Sequence, residues 1–308
     1  MGSGGQGTFW SALGRALRSV PAFVAPLFSG SSMDDTLKRL LNRMDDRLTR
    51  IERHAAVAEI LSVIPPESGI HVLKDAWHAT DYLKEFCELL TPKLQPACDR
   101  TRTVVTRYLR SERGKRYLIE SKQETGTHPE AVLEKKLCRR WRGVPSRGVN
   151  PLWHKVVQNQ VPMKARQRSE TGLKAIDLLA TSHNGLPVVI ELKVCHEQCD
   201  TPLKALLEAA SYACVLQADW MAFRREWIEA LRKLEVNVEP PQSLLVCNLV
   251  IAATPDYWSF WKNSQRKSMI RARPTFRVLL REFCAVGFPV RFASIDKDTL
   301  EVSECRFP

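Results

Sequence analysis

The sequence lacks several features that would assign it to a familiar protein class. Its nine cysteines include no pair separated by two residues, and their odd number and scatter do not indicate a disulfide framework. No G-x-x-x-x-G-K-[ST] motif occurs, so an ATPase motor of the P-loop type would have to be a separate chain. Internal repeats and low-complexity tracts are absent as well. With 308 residues, 44% of them hydrophobic, the chain is long enough to bury a sizeable core.

Several of the cysteines lie in apolar stretches, as Cys214 does in SYACVL and Cys247 does in LLVCNLVI. This placement is typical of small core residues in a reducing compartment, and it predicts a cytoplasmic protein. Cys195 and Cys199 bracket the segment CHEQC, which leaves a metal or iron–sulfur site as an alternative, although no matching second pair is present.

Acidic residues are in the minority, because 34 Asp and Glu stand against 46 Lys and Arg, for a net charge of +12. This balance favours a polyanionic partner, nucleic acid before membrane. Residues 1–32 contain no acid at all, and two arginines and two prolines interrupt their apolar run, so it is a poor transmembrane span. We interpret this segment as a flexible or docking tail. A membrane-surface helix over residues 9–28 or an organelle transit peptide are the alternatives.

Changes in composition divide the chain into an apolar basic tail (1–32), a heptad segment (33–63), a helical region (70–124) and a mixed domain (125–308). Apolar residues of the heptad segment alternate steps of four and three at Leu37, Leu41, Met44, Leu48, Ile51, Ala55 and Ala58. This spacing predicts a short coiled coil that pairs two chains through residues 33–60, or equally a helix that packs on its own domain. In the helical region, the pattern predicts one helix over residues 102–122.

From residue 129 onward, helical and strand patterns follow one another in the order α-β-β-β-α-β-α-β. Strands are predicted in WHKVVQNQV, in KAIDLLAT and PVVIELKV on either side of a turn, and in SLLVCNLVIAA. One long helix is predicted over residues 201–234. We therefore expect an α/β domain with a mixed central sheet flanked by helices.

Three charged residues interrupt the apolar strands of this domain. Asp177 lies in one strand, and Glu191 and Lys193 lie on the same face of the next, because side chains alternate along a strand. If the two strands pair as a hairpin, the three charges converge at one end of the sheet. Buried charges are costly unless they pair or bind a cation, and carboxylate oxygens suit Mg²⁺ or Mn²⁺. Such an ion activates water and neutralises a phosphate, while a lysine stabilises the same charge.

This stretch resembles the core of the PD-(D/E)XK nuclease superfamily, in which an Asp on one strand is followed by E-x-K on the next. The resemblance covers about residues 129–296 and implies a restriction-endonuclease-like αβββαβ core. It implies that Asp177 and Glu191 ligate the metal with the backbone carbonyl of Leu192, and that Lys193 serves the water and the scissile phosphate. A structural Asp–Lys pair in an ordinary α/β domain is the alternative.

Other residues extend the resemblance. Members of the superfamily often carry an acid on the helix before the first strand, for which Glu130 and Glu134 are both candidates. Many also carry a glutamine four residues before a tyrosine on the helix after E-x-K. Here Tyr212 occupies the tyrosine position, but Glu208 replaces the glutamine, which puts the role of Glu208 in doubt. Lys204, one turn earlier, is a candidate phosphate contact.

Basic residues cluster between the first helix of this domain and the Asp177 strand, where they would grip a phosphate backbone. They are Arg139, Arg140, Arg142, Arg147, Lys155, Lys164, Arg166, Arg168 and Lys174. Nearby Trp141 and Trp153 fit either base stacking or, better, core packing. The sequence thus predicts a metal-dependent nuclease acting on DNA. The alternatives are a nucleic-acid-binding module without activity and an assembly or membrane-linked protein that acts through its N-terminal coiled coil.

Overall fold

The computed structural model describes residues 49–63, 69–73, 83–106, 109–119, 128–142, 150, 152–163, 173–195, 200–262 and 267–307. The chain divides into two compact units, one that ends at Ile64 and one that begins at Pro65. Residues 1–48 lie outside the described residues. The docking tail, its membrane-surface alternative and the coiled-coil pairing therefore stay predictions.

In the first unit, helix α1 (Arg50–Val63) begins with a capping box. The backbone N–H of Thr49 donates to Glu52 Oε2 at 2.7 Å, and the N–H of Glu52 donates back to Thr49 Oγ1 at 3.4 Å. These two bonds satisfy backbone donors that the first turn of a helix leaves unpaired. Among the side chains of this helix that the structure describes, Val57 and Leu61 are the buried apolar ones outside the half-buried alanines, whereas Ala58 is exposed.

Within the described residues, the second unit contains one six-stranded mixed sheet in the order β1 to β6. The strands are β1 (Lys155–Pro162), β2 (Ala175–Thr181), β3 (Pro187–Lys193), β4 (Asn248–Ala253), β5 (Val290–Ile295) and β6 (Val302–Glu304). Strands β1, β2 and β3 pair antiparallel, β3, β4 and β5 pair parallel, and β6 is antiparallel to β5.

Helices cover both faces of this sheet, which confirms the expected α/β class. The helices of this unit are α2 (Ile70–Leu73), α3 (Leu83–Leu90), α4 (Leu94–Val105), α5 (Pro129–Arg142), α6 (Pro202–Ala218), α7 (Trp220–Lys233), α8 (Pro255–Lys262) and α9 (Lys267–Ala285). Helix α5 packs on one face of the sheet, where it shares a hydrophobic core with Leu178, Ile190 and Leu192 of strands β2 and β3. Helix α6 contacts β3 and β4, and α2 and α4 pack against α6. These helices belong to the sheet-bearing unit, and the boundary expected near residue 125 falls inside it.

Three predicted elements are wrong in extent. The helix expected over residues 201–234 breaks at Asp219, whose carboxylate accepts hydrogen bonds from Ser111 and Tyr117. The strand expected over residues 243–253 begins only at Asn248, and Leu245 before it is exposed. The helix expected over residues 102–122 ends at Val105. A left-handed Gly114 and bonds from the backbone of Tyr117 and Leu118 to Glu226 hold the later residues in an irregular segment.

Five cysteines of the described residues are buried free thiols, as the sequence indicates: Cys87, Cys98, Cys138, Cys214 and Cys247. Cys284 is exposed and Cys305 is half-buried, so the core interpretation does not extend to them. Cys195 is half-buried, and Cys199 lies outside the described residues. In the part of the chain that the structure describes, no helix is both long and apolar enough to span a membrane.

Candidate functional site

The β2–β3 hairpin positions the charges that the sequence singles out. Pairing runs from Leu178 opposite Ile190 to Thr181 opposite Pro187, so Asp177 and Glu191 are neighbours just beyond it. Leu178 and Ile190 face α5 in the core, and alternation along the strands turns Asp177, Glu191 and Lys193 to the opposite face.

These side chains line one cavity of about 280 Å³ at the end of the sheet. Helices α5 and α6 supply its walls, and β1 and Lys174 complete it. The described residues that line it include two lysines, Lys174 and Lys193, and six carboxylates: Glu130, Glu134, Asp177, Glu191, Asp200 and Glu208. A strongly acidic cavity in a basic chain attracts cations, and its carboxylates oppose one another's ionisation.

Lys193 stands at the centre of this cluster. Its Nζ donates to Glu191 Oε1 at 2.7 Å and to Glu208 Oε2 at 3.1 Å. Only 11% of the lysine side chain is exposed. Burial disfavours the ammonium group, but the negative charges of Glu191 and Glu208 outweigh it and raise the pKa of Lys193 well above its ordinary value. The lysine therefore stays charged at any physiological pH.

The two strand carboxylates are held differently. Asp177 Oδ2 accepts a hydrogen bond of 2.8 Å from the backbone N–H of Leu192. Glu191 is 3% exposed, and its Oε2 is buried without a hydrogen-bond partner among the described residues. Burial is the main cause that raises the pKa of Asp177 to about 7, and burial followed by the charge of Asp177 raises the pKa of Glu191. A buried carboxylate oxygen without a hydrogen-bond partner is costly, so this geometry favours the binding of a proton or a cation there.

Helix α5 brings both of its candidate acids to the cavity, so the structure does not choose between them. Glu134 is 3% exposed, and its Oε2 accepts a 2.6 Å bond from Gln160 Nε2. Burial and then the charge of Asp177 raise the pKa of Glu134 to about 8. Glu130 Oε1 is buried without a partner in the described part of the chain, and burial raises its pKa.

Gln160 is a site residue that the sequence pattern does not reveal. It lies on β1 between the pairs Asn159–Leu178 and Val161–Ile176, which places it opposite Asp177. Its φ of 49° is in the left-handed region, which is uncommon for a residue with a side chain. Strain of this kind persists only where the surroundings impose it, and here it accompanies the hydrogen bond to Glu134.

Helix α6 supplies the far wall of the cavity. Thr201 caps it by accepting from the N–H of Lys204 at 3.1 Å, and Pro202 occupies the first turn. One turn apart on the same face, Glu208 and Tyr212 both line the cavity, which places Glu208 at the site, while its role stays a prediction. Tyr212 is 2% exposed, so its ring offers no free face to a base.

Lys204 does not line the cavity but pairs with Asp200 at 2.8 Å. Asp200 in turn lies 3.8 Å from Lys193, so it links the two lysines. Sequence reasoning missed Asp200, although its spacing of four residues from Lys204 and its place before a Thr-Pro helix start are readable signals.

The basic cluster predicted from the sequence is only partly described. Lys174 is exposed at the cavity, whereas Arg166 and Arg168 lie outside the described residues. The assignment of Lys155 to this cluster is wrong, because the residue is buried and its Nζ donates to the carbonyl of Leu234. Trp141 and Trp153 are core residues that meet edge to face at 6.1 Å, which confirms the packing interpretation.

Comparison of the chain with models of protein families, with curated proteins and with solved structures gives no significant match. Function must therefore be inferred from the chemistry of this cavity.

Proposed function

We propose that the chain is a metal-dependent nuclease of the PD-(D/E)XK type, built on a restriction-endonuclease-like core, that hydrolyses phosphodiester bonds in DNA. The observation that carries this proposal is the meeting of Asp177, Glu191 and Lys193 in one acidic cavity, beside a buried oxygen of Glu191 that has no hydrogen-bond partner among the described residues. The net charge of +12 attracts a polyanion such as nucleic acid, and the carboxylates concentrated in the cavity would bind a cation beside it.

The donor chemistry of the cavity fits Mg²⁺ or Mn²⁺, which prefer carboxylate and carbonyl oxygens. Asp177, Glu191 and the carbonyl of Leu192 would hold the ion, and the unpartnered oxygens of Glu191 and Glu130 are sites that it would satisfy. Among the described residues, however, no three such side chains are already arranged as a metal site. The fit is thus one of chemistry and charge, not of a preformed cage.

A bound divalent ion would polarise the scissile phosphate and lower the pKa of a water. The protein's own groups would do the rest. Lys193 would exchange one of its carboxylate bonds for a phosphate oxygen and stabilise the charge that develops there. In the ion-free protein Glu134 has a pKa of about 8, so it can hold or release a proton near neutral pH, and Gln160 donates a hydrogen bond to the Glu134 carboxylate in the cavity.

Cleavage of labelled single- and double-stranded DNA and RNA tests the proposal, at low salt with Mg²⁺, Mn²⁺ or EDTA. Asp177→Asn and Lys193→Ala should each reduce cation-dependent cleavage by at least about a hundredfold. Lys297→Ala, which removes an exposed lysine from the β5–β6 turn, serves as the matched control and should cleave like wild type. Cleavage that survives Asp177→Asn would overturn the proposed site.

A second candidate function is nucleic-acid binding without hydrolysis. Lys193 already bonds to Glu191 and Glu208, and this pairing is also what a purely structural ion cluster requires. Oligonucleotide binding with no cleavage under any cation would favour this function over the nuclease.

A further inference from the structure

A second cavity, of about 330 Å³, is lined in part by β1 and α5, which also line the acidic cavity. Its described lining includes Ile119, Cys138, Arg142, Gln158, Asn159 and Lys233, and we name it the flanking cavity. Its volume lies in the range of about 300–1,000 Å³ that is common for small-ligand sites. Nothing in the proposed chemistry at Lys193 uses it.

The two cavities share their supporting elements. On α5, Glu134 lines the acidic cavity. Cys138 and Arg142, four and eight residues later, line the flanking cavity. Residues four apart lie on one face of a helix, and eight residues rise about 12 Å. On β1, Gln160 lines the acidic cavity and Gln158 lines the flanking cavity. A single ligand strand can therefore follow α5 and β1 from one cavity into the other.

Uncommitted positive charge lies at the flanking cavity. Within the described residues, neither Arg142 nor Lys233 has an ion-pair partner, and both are exposed. The acids nearby are already engaged, because Glu229 pairs with Arg116 at 2.5 Å, and Glu226 accepts the backbone N–H groups of residues 117 and 118. The two free cations at the rim suit a phosphate group.

Polar and apolar groups inside the flanking cavity suit a base. Gln158 Nε2 is buried without a hydrogen-bond partner among the described residues, and Asn159, the next residue of β1, also lines the cavity. Primary amides read base edges with a donor and an acceptor. Val157 and Ile119, which is 44% exposed, supply apolar surface for the flat faces of a ring.

We infer that the flanking cavity binds a nucleotide of the same strand that is cleaved, with its phosphate at Arg142 and Lys233 and its base at Gln158. This subsite rests on the proposed nucleic-acid substrate and deepens it. The spacing of about 12 Å along α5 corresponds to three or four stacked nucleotides at about 3.4 Å each, so the subsite holds a position about three or four nucleotides from the cut.

Fluorescence anisotropy of labelled single-stranded DNA of 2, 4, 8 and 12 nucleotides tests the subsite, with EDTA present so that no cleavage occurs. Wild-type affinity should rise sharply between 2 and 8 nucleotides. Arg142→Ala/Lys233→Ala should weaken binding of the 8-mer at least about tenfold and leave the 2-mer unchanged. It should also reduce the slope of log affinity against log salt for the 8-mer by about 0.7, the value for one lost phosphate contact on a single strand. Gln158→Leu should weaken the 8-mer without altering its salt dependence.

Lys93→Ala/Lys297→Ala, which removes two exposed lysines outside both cavities, is the matched control and should bind within about twofold of wild type. Equal 8-mer affinity in the Arg142→Ala/Lys233→Ala protein and wild type would overturn the subsite. So would tight binding of free adenosine monophosphate with no dependence on strand length. A wild type that shows the length dependence but cleaves nothing with Mg²⁺ or Mn²⁺ would retain the subsite and reject only the nuclease.

Discussion

Replacing Lys193 by methionine is expected to destabilise the protein strongly, and more so as the pH rises. Methionine keeps the length of the side chain but removes the ammonium that lies 2.7 Å from Glu191 Oε1 and 3.1 Å from Glu208 Oε2. The exposed fractions of the lysine and the two glutamate side chains are 11%, 4% and 7%. Water therefore cannot take over the solvation that the lysine provides.

The size of the effect follows from this burial. Removing one partner of a buried ion pair costs about 3–5 kcal/mol, because the remaining charge is left uncompensated. Uptake of a proton by Glu191 relieves part of the cost at low pH. Loss of Lys193 raises the pKa of Glu191 further, so the folded variant binds more protons than the unfolded chain, and its stability falls as pH rises. We expect a loss of about 3 kcal/mol at pH 8 and about half of that at pH 5.

Urea unfolding followed by tryptophan fluorescence measures these differences. Lys84→Met is the control, because Lys84 makes only a surface pair with Glu88 at 3.7 Å and should change stability by about 0.5 kcal/mol or less. Combining Lys193→Met with Glu191→Gln should recover part of the loss. Stability of Lys193→Met within about 0.5 kcal/mol of wild type at both pH values would refute the view of Lys193 as the compensating charge.

Three further outcomes are expected. Because the raised pKa values of Asp177 (about 7) and Glu134 (about 8) make the folded state the better proton acceptor, wild-type stability should fall from about pH 4 to about pH 8 in EDTA. Added Mg²⁺ should reduce that fall in thermal unfolding, and no cation effect would contradict the metal site. Gln160→Gly should keep stability within about 1 kcal/mol, since glycine tolerates φ of 49°, yet lower cleavage at least tenfold in initial-rate assays. Gly287→Ala should lower the melting temperature far more than Gly114→Ala, because its Cβ would meet Leu245 O at 2.3 Å, whereas Gly114 has open space; equal shifts would contradict this.

The helix acids and the E-x-K strand were predictable because their signals are local. A period of two along β3 assigns Glu191 and Lys193 to one face of that strand. A spacing of four along α5 assigns Glu130 and Glu134 to one face of that helix. Gln160 gives no such signal, since its left-handed backbone reverses the direction that simple alternation predicts for β1. The break at Asp219 is equally invisible, because it depends on Ser111 and Tyr117, more than 100 residues away.

The sequence by itself determined the alternating sheet and helix order and the hairpin that carries Asp177, Glu191 and Lys193, because side-chain periodicity and turn residues act over a few neighbouring positions. Only the tertiary structure decided that Glu208 bonds to Lys193 and that both α5 acids share the cavity. It also decided that Lys155, which the sequence placed in the phosphate-binding cluster, is buried and donates a hydrogen bond to the carbonyl of Leu234. Those outcomes depend on how helices dock across the sheet, where burial and the distance between charges set the energy of each pairing.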